Sequence, residues 1–127
     1  MKEELISSET AVLAKEKGFN EYCRYRYDKP SNNLRLWSFH EADEESWHDN
    51  SSCVGESAPT QSHLQKWLRD VKGVHLTVNV GIPHGSKSIM YYVNVIKMGK
   101  HHKSKFRGSF KDTFEQALEE GLKEALK

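Results

Sequence analysis

Long apolar runs are missing from this chain of 127 residues, in which hydrophobic residues make up 36% and mean hydropathy is −0.78. No stretch approaches the roughly 18 consecutive apolar residues of a transmembrane helix. The opening Met1-Lys2-Glu3-Glu4-Leu5-Ile6 carries acids where a secretory signal would have an apolar core, so no membrane association and a cytoplasmic location are expected. Cysteine is equally scarce. Cys23 and Cys53 are the only two, which argues against a disulfide framework and for reduced thiols. Also absent are the short motifs that announce chemistry: a Gly-x-Ser-x-Gly elbow, a Gly-rich phosphate loop of P-loop or dinucleotide spacing, and a His-Glu-x-x-His helix. Seven histidines offer candidate bases, but no spacing selects a set among them. No catalytic residue and no cofactor is therefore assigned, and a non-enzymatic protein is favoured.

What the chain does have is charge, unevenly distributed. Nineteen Lys and Arg against eighteen Asp and Glu give a formal +1. Counted by segment, residues 1–59 carry −5, residues 60–111 carry +9 with Asp70 as their single acid, and residues 112–127 carry −3. A basic middle between acidic ends has two readings: its field is cancelled by the ends packed beside it, or it presents a face to a polyanion.

Local patterns outline one α+β domain spanning residues 1–127. Ser7-Ser8-Glu9-Thr10 supplies hydroxyl caps and an early acid, and Gly18 follows Lys15 and Lys17, which predicts a short helix over about 8–17. Tyr22–Tyr27 and Leu34–His40, separated by the turn formers Asp28–Asn33, read as a β-hairpin. Glu41–Pro59 is acidic and without period, and reads as a long loop. After Pro59 and Thr60, the residues Leu64, Trp67, Leu68 and Val71 form one helical stripe that stops at Gly73. Val74–Val80 alternates apolar and polar residues, as a strand with one wet face does. Residues 88–98 read as an interior strand, and Phe106–Phe110 as a short edge strand guarded by lysines. Asp112 and Glu115 open a last helix whose stripe runs from Phe114 through Ala117, Leu118, Gly121, Leu122 and Ala125 to Leu126. Gly121 within it suggests close approach of a neighbouring backbone. The expected architecture is an antiparallel sheet of about five strands covered by the helices near 60–72 and 112–126.

Two clusters carry candidate chemistry. His40, His48 and Cys53, among the acids of the 41–59 segment, are of metal-ligand type but lack the paired spacing that lets one turn offer two zinc ligands. A solvated acidic loop anchored by Trp47 explains them as well, and no metal is assigned. The basic strip has more to recommend it. Lys97, Lys100, His101, His102, Lys103, Lys105, Arg107 and Lys111 fall within fifteen residues, with Tyr91, Tyr92 and Phe106 interleaved. Such a strip can meet phosphates, and its aromatics can stack on bases where they face outward; the competing reading makes the aromatics core and the lysines edge guards.

Two resemblances add to this. Pro59-Thr60-Gln61-Ser62-x-Leu64-Gln65-Lys66-Trp67-Leu68-Arg69, the following His75-Leu76-Thr77-Val78, the ending Thr113–Leu126 and the opening Glu9–Phe19 resemble a family of small proteins of Bacteroides and their phages or prophages. That family has no assigned activity, and the resemblance implies a bacterial or phage-encoded protein. The order helix, strand, strand, short strand, helix across residues 60–127 is similar to a double-stranded-RNA-binding domain. Gly81-Ile82-Pro83-His84 stands where that family carries a Gly-Pro-x-His motif that contacts the minor groove, with Ile82 intervening; Lys111 alone stands for its Lys-Lys-x-Ala-Lys. The leading expectation is an accessory or interaction module with a protein partner. The alternative is a nucleic-acid-binding module that uses His84, Lys100, Lys103, Lys105, Arg107 and Lys111.

Overall fold

In a computed structural model, the described residues are 4–21, 23, 25–27, 34–36, 56–98 and 103–127. They form an α+β chain whose contacts divide it into two compact units, Met1–Thr60 and Gln61–Lys127.

In the first unit, α1 spans Ser8–Glu16. Ser7 caps it, its side chain accepting from the Thr10 backbone N–H at 3.3 Å. The helix ends as the glycine signal predicts. Gly18 takes a φ of 94°, and the Phe19 N–H donates to the Ala14 carbonyl at 2.9 Å, the closing bond of a Schellman turn. Strands β1 (Tyr25–Tyr27) and β2 (Leu34–Leu36) pair antiparallel, which is the core of the expected hairpin; its turn, residues 28–33, lies outside the described residues. The other edge of β1 pairs with β3, Glu56–Ser57. Part of the expected acidic loop is therefore a buried strand, while residues 41–55, with His40, Trp47, His48 and Cys53, lie outside the described residues. Among the described residues of the unit, Ile6, Ala11, Ala14, Phe19, Cys23 and Ala58 are the buried apolar side chains. Its start is tied in by the Tyr27 hydroxyl donating to the Ile6 carbonyl at 2.6 Å and the Ile6 N–H donating to Pro59 at 3.1 Å.

The second unit runs α2 (Gln61–Trp67), β4 (Val74–Gly81), β5 (Met90–Met98), β6 (Lys103–Arg107) and α3 (Phe114–Ala125). The three strands make an antiparallel sheet in the order β4-β5-β6. The expected single sheet of about five strands is thus replaced by two three-stranded sheets, because both edges of β1 are taken by β2 and β3. The placement of β5 in the interior is as expected from its double-sided apolar pattern. Strand β6 begins at Lys103 and ends at Arg107, earlier than the Phe106–Phe110 expected.

Both helices of this unit show where residue pattern and geometry part. After Trp67 the backbone widens into a π-helical turn, Leu68–Lys72, closed by the Gly73 N–H donating to the Leu68 carbonyl with Gly73 at a φ of 65°. The wider turn carries Val71 off the apolar stripe, so it is 59% exposed while Leu64, Trp67 and Leu68 are buried. At α3 the cap is Thr113, not Asp112: its Oγ1 accepts from the Gln116 N–H at 3.1 Å. Leu118, Leu122 and Leu126 are buried as expected, but Phe114 is 46% exposed and rests edge-on against Tyr91, ring centroids 6.4 Å apart. Gly121 is where α3 meets the sheet. A Cβ there would stand 2.5 Å from Val93 Cγ2 and 2.9 Å from Leu76 Cδ2, so side chains, not a backbone, demand the glycine.

Candidate nucleic-acid interface

Alternation along a strand sends successive side chains to opposite faces, and the register of the second sheet turns this into a map. Val93 and Val95 of β5 are buried and Val93 lies under Gly121 of α3, so the odd residues of β5 face the helices. The even residues face away. Across the register this open face carries the rows His75–Ile96–Lys105 and Thr77–Asn94–Arg107, then the pair Asn79–Tyr92. Among the described residues of this unit no carboxylate stands on it, and His75, Thr77, Lys105 and Arg107 are exposed.

Beyond β6 the chain stays close to β5. The Tyr91 N–H donates to the Lys111 carbonyl at 2.9 Å, which brings Phe110 alongside the sheet. Phe110 meets Tyr92 edge-on with centroids 5.4 Å apart, and its Cε1 lies 3.1 Å from where a Gly81 Cβ would stand. The Arg107 guanidinium sits 4.4 Å from the Tyr92 ring centroid and 5.9 Å from that of Phe110. The result is a compact cluster of one guanidinium and two rings, on a face where no described residue of the unit places an acid.

The cations of this unit sort themselves by partner. Lys66 and Arg69 flank Asp70, Lys111 pairs with Glu120 at 3.3 Å, and Lys127 pairs with Glu124. Lys97 donates to the Lys127 carbonyl. Among the described residues neither Lys105 nor Arg107 has an ion-pair partner. The carboxylates of α3 serve the other side. Glu120 also accepts from the Ser109 N–H at 3.1 Å, and a Cβ at Gly108 would collide with its carboxylate, so this residue stitches α3 to the segment after β6. A groove there, lined by Phe106, Lys111, Glu119, Glu120, Lys123 and Glu124, mixes both signs. By unit, the charge is −5 for residues 1–60 and +6 for residues 61–127.

Of the six residues singled out from the sequence, the structure brings Lys105 and Arg107 to one face. Lys103 opens the same strand opposite Met98. Lys111 is turned to Glu120, and His84 is exposed in the turn closed by the Ser86 N–H donating to Pro83. Lys100 lies outside the described residues, as do the metal candidates His40, His48 and Cys53. Among the described residues no three His, Cys, Asp or Glu side chains gather in a way that could hold a metal ion, and no helix is long and apolar enough to cross a membrane. Of the three interleaved aromatics, Tyr92 faces outward, whereas Tyr91 and Phe106 share the helix side with Val80 and Val95. Phe110 was not among the candidates. The parity of Met90–Met98 was its available signal, since fixing Tyr92 as outward singles out the aromatic that follows Arg107.

No protein-family model matches the chain, and neither a curated protein nor a solved structure matches it significantly.

Proposed function

We propose that residues 61–127 form a nucleic-acid-binding module that uses the open face of the β4-β5-β6 sheet. The observation that carries this reading is a face on which, among the described residues, no carboxylate of the unit stands and Lys105 and Arg107 are exposed and without ion pairs beside Tyr92 and Phe110. Exposed cations are what release counterions from a phosphate backbone, and half-buried rings beside them are what distinguish a base-binding face from an edge guarded against aggregation. The resemblance to a double-stranded-RNA-binding domain would instead direct RNA to the β4–β5 turn and the start of α3. That route is weaker, because Lys111 is engaged by Glu120 and α3 opens with Asp112 and Glu115.

The test is fluorescence anisotropy of labelled single-stranded RNA, double-stranded RNA and duplex DNA at low and moderate salt, with wild type and Lys105→Glu/Arg107→Glu. Binding that weakens steeply with salt and is lost in the variant is the expected result. Binding that survives the double reversal of charge would move the site off this face.

A second reading, an accessory protein whose partner is another protein, draws on a different observation. Val80, Ile82, Ile89 and Phe114 are all exposed around the β4–β5 turn and the start of α3. A protein captured by wild type and released by Ile82→Asp would support it.

A further inference from the structure

We infer that the ligand of the open face is a single strand, with a base stacked on the Arg107 guanidinium and Tyr92 as the backing of that stack; this rests on the nucleic-acid reading above. Arg107 is exposed, yet its guanidinium is already settled over the Tyr92 ring at 4.4 Å. Phe110 holds that ring from the side and itself rests on Gly81, where a Cβ would stand 3.1 Å from Phe110 Cε1. A long side chain that ordinarily loses much rotamer freedom on binding is thus organised beforehand, which lowers the cost of engaging a ligand. A guanidinium held 4.4 Å from the Tyr92 centroid and still exposed has a solvent side left for a flat group, and a nucleobase is such a group.

A duplex has its base faces hidden in the stack. Against the open face it would present phosphates only, to Lys105 and Arg107, and would gain nothing from Tyr92 or Phe110. An unpaired strand meets the face differently. Lys105, two residues from Arg107 on β6 and about 6.7 Å from it along the strand, can meet a phosphate of the nucleotide whose base stacks on Arg107. Asn79 and Asn94 stand next to Tyr92 and Arg107 in the register, and their amides can meet the donor and acceptor edge of the stacked base.

The experiment uses the full chain and three fluorescein-labelled probes: a 12-nucleotide oligo-uridylate, a 12-base-pair RNA duplex, and an abasic 12-mer that keeps the phosphates and lacks the bases. The oligo-uridylate is expected to bind about tenfold or more tighter than the abasic strand, in keeping with the value of one stacked base. Arg107→Lys, which keeps the charge and removes the plane, should cancel most of that preference and leave abasic binding within about twofold. Tyr92→Leu, checked for folding by circular dichroism, should do the same. Equal binding of all three probes, or no effect of Arg107→Lys on the oligo-uridylate, would overturn the stacked single strand while leaving the nucleic-acid reading intact. Absence of salt-dependent binding to any probe would overturn both.

Discussion

The two faces of the β4-β5-β6 sheet are built from the same strands and differ in charge and burial. On the covered face Leu76, Val93 and Val95 are buried beneath Leu118, Gly121 and Leu122 of α3. On the open face, one residue away in each strand, stand Thr77, Asn94, Tyr92, Lys105 and Arg107, none of them buried. The carboxylates of the unit are confined to the helices and their approaches, where Asp70, Glu120 and Glu124 each meet a cation. A period of two thus lets a single strand such as β5 supply core to one side and a binding surface to the other. The physical lesson is a division of labour: apolar burial on the covered face sets stability, and the open face is relieved of that duty and can hold unneutralised charge.

If that division is real, the largest loss of stability comes from the covered face. Leu122 is fully buried between α3 and the sheet, and Leu122→Ala removes its contacts and leaves a cavity. A loss of about 2–5 kcal/mol is expected in urea denaturation. A loss below about 1 kcal/mol would mean that α3 does not anchor this face. Next in size is Gly121→Ala. The new methyl gains helix propensity of about 1 kcal/mol, but it stands 2.5 Å from Val93 Cγ2 and 2.9 Å from Leu76 Cδ2, and overpacking costs about 1–3 kcal/mol. Net destabilisation is expected, read as a lower urea midpoint at unchanged slope. A net gain would show that α3 lifts easily from the sheet.

The helices and strands that rest on apolar period were legible in the residues alone. The stripe of α3, the alternation of β4, the interior placement of β5 and the glycine ends at Gly18 and Gly73 all follow from local rules that the structure obeys. What local rules do not reach is pairing and exact phase. Nothing in Tyr25–Tyr27 announces that its second edge is taken by Glu56–Ser57, a pair of residues thirty positions away in an acidic segment, and so one sheet of about five strands was expected where there are two of three. A π turn after Trp67 rotated Val71 out of a stripe that a regular helix would have kept intact. The site was half legible for the same reason. Lys105, Arg107 and Tyr92 were marked by composition, but which aromatics face outward depends on the parity of β5, and Lys111 was removed from the set by Glu120, nine residues further along the chain.

The smallest effect should come from enriching the open face. Thr77 is exposed and stands in the row Thr77–Asn94–Arg107, separated from the guanidinium by a neutral strand position. Thr77→Lys therefore adds a further cation without placing like charges directly opposite one another. Because the face carries no core, stability should change by less than about 1 kcal/mol, the full span of strand propensity. Affinity for a single strand should instead rise by a few-fold, and the slope of log affinity against log salt should steepen by about 0.7, the increment for one further phosphate contact. The two readouts test the division from its weaker side. A steeper slope at constant stability is what a surface freed from folding duty gives, whereas an unchanged slope would place the phosphates elsewhere, and a marked loss of stability would show that the open face is part of what holds the sheet.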